Sequence, residues 1–135
     1  MRRWTSAARA AIAGSMVLEY GLLLPVLLLM MLGTMDVGRL IWTYTTLHRA
    51  VEAASRCAAV NPAACGTPAQ IASRAVDEAW GLGVTAGDFT AQTQSCGAKV
   101  TANYDFPLLI PWVSGTPREN QPNAITLTVS ACYPL

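Results

Sequence analysis

The feature that most limits how this chain can fold is an uncharged stretch near its N-terminus. Sixteen consecutive residues, Tyr20 to Met35, carry no charge, and a single acid, Glu19, precedes them. As a helix they would cover only about 24 Å of a hydrocarbon layer about 30 Å thick, so a membrane span has to extend back across Glu19 toward Ala10. An ionised carboxylate inside a bilayer costs on the order of 2.5 to 3.5 kcal/mol, so we expect Glu19 to meet a partner of opposite charge.

Cleavage of the chain after Gly14 would create such a partner. The new terminal amine would lie on Ser15, and Glu19 would be the fifth residue of the shortened chain, one helical turn along. Together with the apolar run, Gly14, Ser15, Glu19 and Tyr20 resemble the prepilin-peptidase site of TadE-like pseudopilins and minor pilins. These are subunits of the tight-adherence (Tad, Flp-type) pilus.

The resemblance continues along the helix and covers about the first 60 residues. Residues 33–39 fit a G-x-x-D-x-G-R signature, and residues 53–56 fit an alanine-rich AA-x-R stretch. The matching positions are Pro25, Gly33, Asp36, Gly38, Arg39, Ala53, Ala54 and Arg56. The resemblance implies a structural pilus subunit that a prepilin peptidase processes and that assembles through its apolar N-terminal helix.

The predicted organisation has three parts: a prepilin-type leader at 1–14, a transmembrane and filament-core helix at 15–36, and an exported domain at 37–135. Arg2, Arg3 and Arg9 precede the apolar run without an acid beside them. Positive residues stay on the cytoplasmic side, so we expect a single-pass protein of the bacterial inner membrane with its C-terminal domain in the periplasm. After processing, an extracellular pilus is the further destination. A conventional signal peptide fits less well, because its apolar region would precede the cleavage site.

The periodicity predicts an α+β, pilin-like fold. The N-terminal helix extends to Val60, and its second half has an apolar seam at Leu40, Tyr44, Leu47, Val51, Ala54 and Ala58, with Thr43 off the seam. A short second helix begins at Thr67 and Pro68, with Trp80 on its apolar face. Three alternating segments then predict an antiparallel meander that covers the seam, starting at Phe89, Val100 and Ile125.

Four cysteines on the exported side of a membrane indicate disulfides. Three pairings are possible. Cys57 and Cys65 bracket the Asn61-Pro62 break after the long helix, whereas Cys96 and Cys132 lie at the outer ends of two predicted strands. We therefore expect Cys57 to pair with Cys65, and Cys96 with Cys132.

Several function classes lack sequence support. The net charge is only +1, so nucleic acid is not an expected partner. One histidine, His48, and the absence of a Cys-x-x-Cys pair argue against a metal site. No residues are arranged as a nucleophile with its base, so neither an enzyme nor a cofactor is expected.

The resemblance therefore predicts a minor pilin or pseudopilin. Its expected partners are the prepilin peptidase, other pilin subunits through the N-terminal helix, the inner-membrane assembly platform and the lipid bilayer. The alternative is an unprocessed, membrane-anchored periplasmic binding or scaffold protein of a secretion apparatus. The sequence leaves the biological output open between adhesion, secretion and DNA uptake. We expect the hydrophobic loop around Leu109 and Trp112 to fold back on the sheet edge or to rest near the membrane surface; the alternative is a subunit-docking or adhesive patch.

Overall fold

The computed structural model describes the backbone of residues 4–109 and 124–134, and the side chains of residues 17–109 and 124–134. It contains three α-helices, a 3-10 turn and three strands within these ranges. The elements are α1 (Trp4–Val60), α2 (Pro62–Cys65), α3 (Pro68–Glu78), the 3-10 turn (Ala86–Asp88), β1 (Phe89–Gln94), β2 (Gly97–Pro107) and β3 (Ala124–Tyr133). This is the predicted α+β class, with a long N-terminal helix, a short helix and an antiparallel sheet.

The chain divides into two compact units, Met1–Met35 and Asp36–Leu135. In the described part of the first unit, the secondary structure is entirely that of α1. Pro25 lies inside this helix without ending it, although proline removes one backbone hydrogen bond. The second unit holds the end of α1 together with the other helices and the sheet.

Both short helices begin at side-chain caps; the sequence predicts the one at Thr67, whereas α2 lies where a break after the long helix was expected. Asn61 accepts a hydrogen bond from the Ala64 amide and starts α2. Thr67 and Gln70 form a reciprocal capping box, and Pro68 occupies the first turn of α3. Such caps satisfy amides that have no partner inside the helix, and each contributes about 1 kcal/mol.

The sheet is a meander with strand order β1-β2-β3, and both pairings are antiparallel. Phe89 pairs with Ala102, and the β2–β3 register runs from Ala98 opposite Tyr133 to Pro107 opposite Ala124. One face carries the buried residues Val100, Ala102, Phe106 and Val129. This alternation is the one that the sequence predicts.

The core of the second unit combines α1, α3 and the sheet. Its α1 members are Leu47, Ala50, Val51 and Ala54, all fully buried. The predicted seam is wrong at one position, Tyr44. Thr43 is buried, whereas Tyr44 is 46% exposed, so the buried face passes through positions 36, 43, 47, 50 and 54. Hydrophobicity alone favoured tyrosine over threonine, but the small Thr43 is the residue that faces inward.

The prediction for Trp80 is also wrong. Ile71, Ala75 and Ala79 are buried as expected, but Trp80 is 70% exposed. Helix α3 ends at Glu78 with Ala79 as its cap, so Trp80 lies beyond the last helical turn and the helical period no longer sets its direction. Trp112, the other tryptophan of the predicted loops, lies outside the described residues.

Candidate assembly site

The apolar segment of α1 is covered by nothing else in the described chain. Its large side chains from Val17 to Met35 are between 42% and 73% exposed. A continuous apolar surface of this kind is not stable in water and indicates contact with lipid or with other helices. The helix is long and apolar enough to cross a membrane, with a mean hydropathy of 1.9 over its most apolar 18 residues.

Glu19 lies at the start of this described surface and is itself exposed. Within the side chains that the structure describes, none forms an ion pair with Glu19. Tyr20, beside it, is 71% exposed. The backbone of Gly14 and Ser15 is helical and continuous with α1, while their side chains lie outside the described ranges. The carboxylate is therefore available to a partner from another molecule.

The glycines of the predicted signature are not required by packing within the described chain. A Cβ atom added at Gly33 or at Gly38 would meet no atom within 4 Å. Each glycine instead leaves a shallow depression on the surface of α1, because it has no side chain. Depressions of this kind are common where helices approach one another closely in membranes.

Asp36, by contrast, has a clear intramolecular role. It is only 6% exposed, and both of its carboxylate oxygens accept the Leu109 amide proton, at N···O distances of 3.0 and 3.2 Å. Arg39 donates to the same carboxylate at 3.1 Å. Leu109 follows the end of β2, so Asp36 ties the chain beyond that strand to α1.

Arg39 reinforces the same junction from one helical turn further on. Its guanidinium carbon lies 5.1 Å from the ring centre of Phe106, over the aromatic face. Phe106 is 2% exposed and belongs to β2. The Asp-x-Gly-Arg signature thus builds a junction, defined here by Asp36, Arg39, Phe106 and Leu109, between α1 and the end of β2. Sequence analysis missed Leu109 as a partner, because a backbone amide 73 residues away leaves no pattern.

Two disulfides close the second unit, and they are the pairs that the sequence predicts. Cys57 bonds to Cys65, joining the end of α1 to α2. Cys96 bonds to Cys132, joining the turn before β2 to β3. Both bonds lie far from the apolar segment in sequence. Disulfides form and persist in oxidising compartments, so this part of the chain is expected in one.

The described ranges offer few side chains for a metal site or a ligand site. No group of three histidine, cysteine or acidic residues there could hold a metal ion. His48 pairs with Glu52 on the surface of α1, at 3.1 Å from Nδ1 to Oε1. An open groove of about 840 Å³ between α1 and α3 is lined by small and polar side chains, with Arg74 already paired to Glu78.

Comparison with known proteins supports the reading of the N-terminal part. A family model described as TadE-like protein matches residues 14–56. No curated protein and no solved structure matches the chain. The matched range begins at Gly14 and includes Glu19, Asp36 and Arg39, so it confirms the resemblance. The family suggests a protein related to the Tad pilus, membrane-anchored and structural in role.

Proposed function

This chain is TadE-like over residues 14–56, and from that premise we propose that it is a minor pilin or pseudopilin of a Tad or type IV-like pilus. A prepilin peptidase removes residues 1–14, and the shortened subunit assembles through its apolar helix. One observation carries the proposal: the family match begins at Gly14 and continues into a helix whose apolar side chains have no cover from the rest of the described chain.

The charge distribution supports an orientation for the inserted subunit. Arg2, Arg3 and Arg9 hold the N-terminus in the cytoplasm, and residues 15–36 cross the inner membrane. Residues 37–135 then form the periplasmic domain, where both disulfides can form. After extraction from the membrane, the same domain faces outward from a filament.

Glu19 has a specific part in this proposal. In a bundle of apolar helices, its carboxylate pairs with the amine that cleavage frees on Ser15 of a neighbouring subunit. Desolvation of two charges offsets most of their attraction, so such a pair contributes little net stability. A misplaced subunit would leave both charges unpaired in an apolar surrounding, and the pair therefore fixes the axial register between subunits.

A subunit of this kind would meet four kinds of partner. The prepilin peptidase cuts the leader, the inner-membrane assembly platform extracts the subunit, and other pilin subunits surround its helix. The lipid bilayer holds the subunit until extraction. The exposed apolar face of α1 contacts first the lipid bilayer and later the other pilin subunits, because lipid chains and apolar helices offer it equivalent surroundings.

Processing is tested by the mass of the protein recovered from membranes of cells that contain a prepilin peptidase. We expect a chain that starts at Ser15, and an intact chain from cells that carry a catalytically inactive peptidase. A chain that keeps Met1 in both strains would contradict the proposal and favour the alternative, an unprocessed anchored scaffold protein.

Assembly is tested separately with Glu19→Ala. The variant should insert and be processed normally, but its recovery in sheared filaments should fall by about tenfold or more, as expected when a buried charge loses its partner. Glu52→Ala, which removes an exposed acid from the periplasmic domain, is the matched control. Equal recovery of both variants would refute the role of Glu19.

A further inference from the structure

Two exposed tryptophans form a pair on the surface of the second unit. Trp42 of α1 is 53% exposed and Trp80 is 70% exposed. Their ring centres are 6.2 Å apart and the rings are nearly perpendicular, at 86°. Neither indole N–H donates a hydrogen bond to any described residue. The pair therefore presents a large apolar area, with two N–H donors that have no acceptor in the described part of the chain.

The groove beside the pair is lined by uncharged residues and by one cation that is already paired. This groove of about 350 Å³ is lined by Arg39 and by uncharged residues that include Gly81 and Leu82. Arg39 is paired with Asp36 at 3.1 Å, so it contributes little unpaired positive charge to this groove. Exposed indoles whose N–H groups have no acceptor among the described residues match the interfacial layer of a phospholipid bilayer.

The position of Trp42 along α1 agrees with that layer. The uncharged run ends at Met35, and Trp42 lies six residues after Asp36, a rise of about 9 Å. Helical side chains lean toward the N-terminus, so its ring lies roughly one turn closer to the apolar run than its own Cα atom. The headgroup layer is about 5 to 8 Å thick on each side of the hydrocarbon, and the ring falls within it.

We propose that Trp42 and Trp80 anchor the periplasmic domain in the headgroup layer of the membrane that α1 crosses. The ligand is phospholipid at the level of the glycerol and phosphate groups. The competing occupant is a neighbouring subunit. Lipid is favoured because Trp42 follows the apolar run on the same helix and because neither indole N–H has an acceptor among the described residues. This inference depends on the membrane insertion proposed above.

The test measures how bromine atoms at known depths in a bilayer quench tryptophan fluorescence. The full chain is reconstituted in phosphatidylcholine and phosphatidylglycerol vesicles at about one protein per 1,000 lipids, with Trp4 and Trp112 replaced by phenylalanine. We expect lipids brominated near the headgroup to quench Trp42 and Trp80 roughly twofold more than lipids brominated near the chain ends, as for interfacial indoles. Single variants Trp42→Phe and Trp80→Phe assign the signal to each ring.

Two reporter variants, each lacking all four native tryptophans, separate the possible results. Leu27→Trp reports insertion, since it lies in the apolar run and should be quenched most by the deep bromines. Tyr133→Trp reports non-specific contact with the bilayer. Tyr133 borders a groove with Glu52, which lies 16 residues, or about 24 Å, beyond Asp36 along α1. A tryptophan at position 133 should therefore not be quenched.

Quenching of the Leu27 reporter without quenching of Trp42 and Trp80 would overturn the anchor and leave the insertion standing. Loss of quenching at the Leu27 reporter would remove the insertion and the anchor together. Equal quenching at position 133 would also overturn the anchor. If the quenching of Trp42 and Trp80 by brominated lipids decreases as the protein-to-lipid ratio rises, the pair would be assigned to a neighbouring subunit instead.

Discussion

Replacing Asp36 tests whether the Asp-x-Gly-Arg signature joins α1 to the end of β2. Asp36→Ala removes a charge-assisted hydrogen bond from the Leu109 amide, which is worth about 1.5 to 3 kcal/mol. It also removes the pairing with Arg39, whose side chain is 39% exposed, and this adds only about 0.5 kcal/mol. Leu109 is 51% exposed, so water can solvate part of its freed amide. We therefore expect a loss of about 2 kcal/mol.

The loss should be visible in the thermal unfolding of the full chain in detergent, followed by near-ultraviolet circular dichroism. For a unit of about 100 residues, 2 kcal/mol corresponds to a decrease in Tm of about 8 to 16 °C. Asp36→Asn keeps an acceptor of the same shape and should lose about half as much, because only the charge is removed. Glu52→Ala, on the exposed surface of the same helix, should change the Tm little.

Hydrogen exchange gives a local measure of the same contact. The Leu109 amide should exchange slowly in the native chain and rapidly in Asp36→Ala, because its acceptor is gone. A Tm for Asp36→Ala within about 2 °C of that for Glu52→Ala, with the Leu109 amide equally protected in both, would refute the role assigned to Asp36.

Two other perturbations have expected outcomes that thermal unfolding can measure. Gly97→Ala should destabilise the chain by about 1 to 3 kcal/mol, because Gly97 has a φ of +116° and a Cβ there would overlap β3. The control Gly83→Ala, where a Cβ has open space, should be nearly neutral. Removing the Cys96–Cys132 disulfide should lower the free energy of unfolding by about 4 kcal/mol, and removing Cys57–Cys65 should lower it by about 2.5 kcal/mol. The first bond closes a loop of 36 residues and the second a loop of 8. A larger loss for Cys57–Cys65 would contradict the loop-entropy argument.

Local signals made most of the fold predictable from the sequence. The capping residues at Thr67 and Pro68 fixed the start of α3, and strict alternation identified the buried face of the sheet. The cysteine positions predicted both disulfides, because each pair brackets one turn or one pair of strand ends. In these cases the deciding interaction lies close by in sequence or repeats along an element.

The errors and omissions come from interactions that local patterns do not contain. Tyr44 looked like a seam residue because it is large and partly apolar, but tertiary packing chose Thr43. Trp80 was assigned by extending the helical period past Ala79, where the helix has already ended. The junction at Asp36 depends on a backbone amide far along the chain, so the sequence identified the residue without its partner.

The helical backbone around Gly14 has a consequence for the proposed cut. The bond between Gly14 and Ser15 lies inside α1, and a peptide bond in an intact helix has its carbonyl engaged and its faces shielded by neighbouring side chains. A peptidase must therefore unwind a short length of helix before it can attack. Glycine disfavours helix by about 1 kcal/mol relative to alanine, so this position opens more readily than its neighbours, and Gly14→Ala should slow hydrolysis even in a peptidase that tolerates the methyl group.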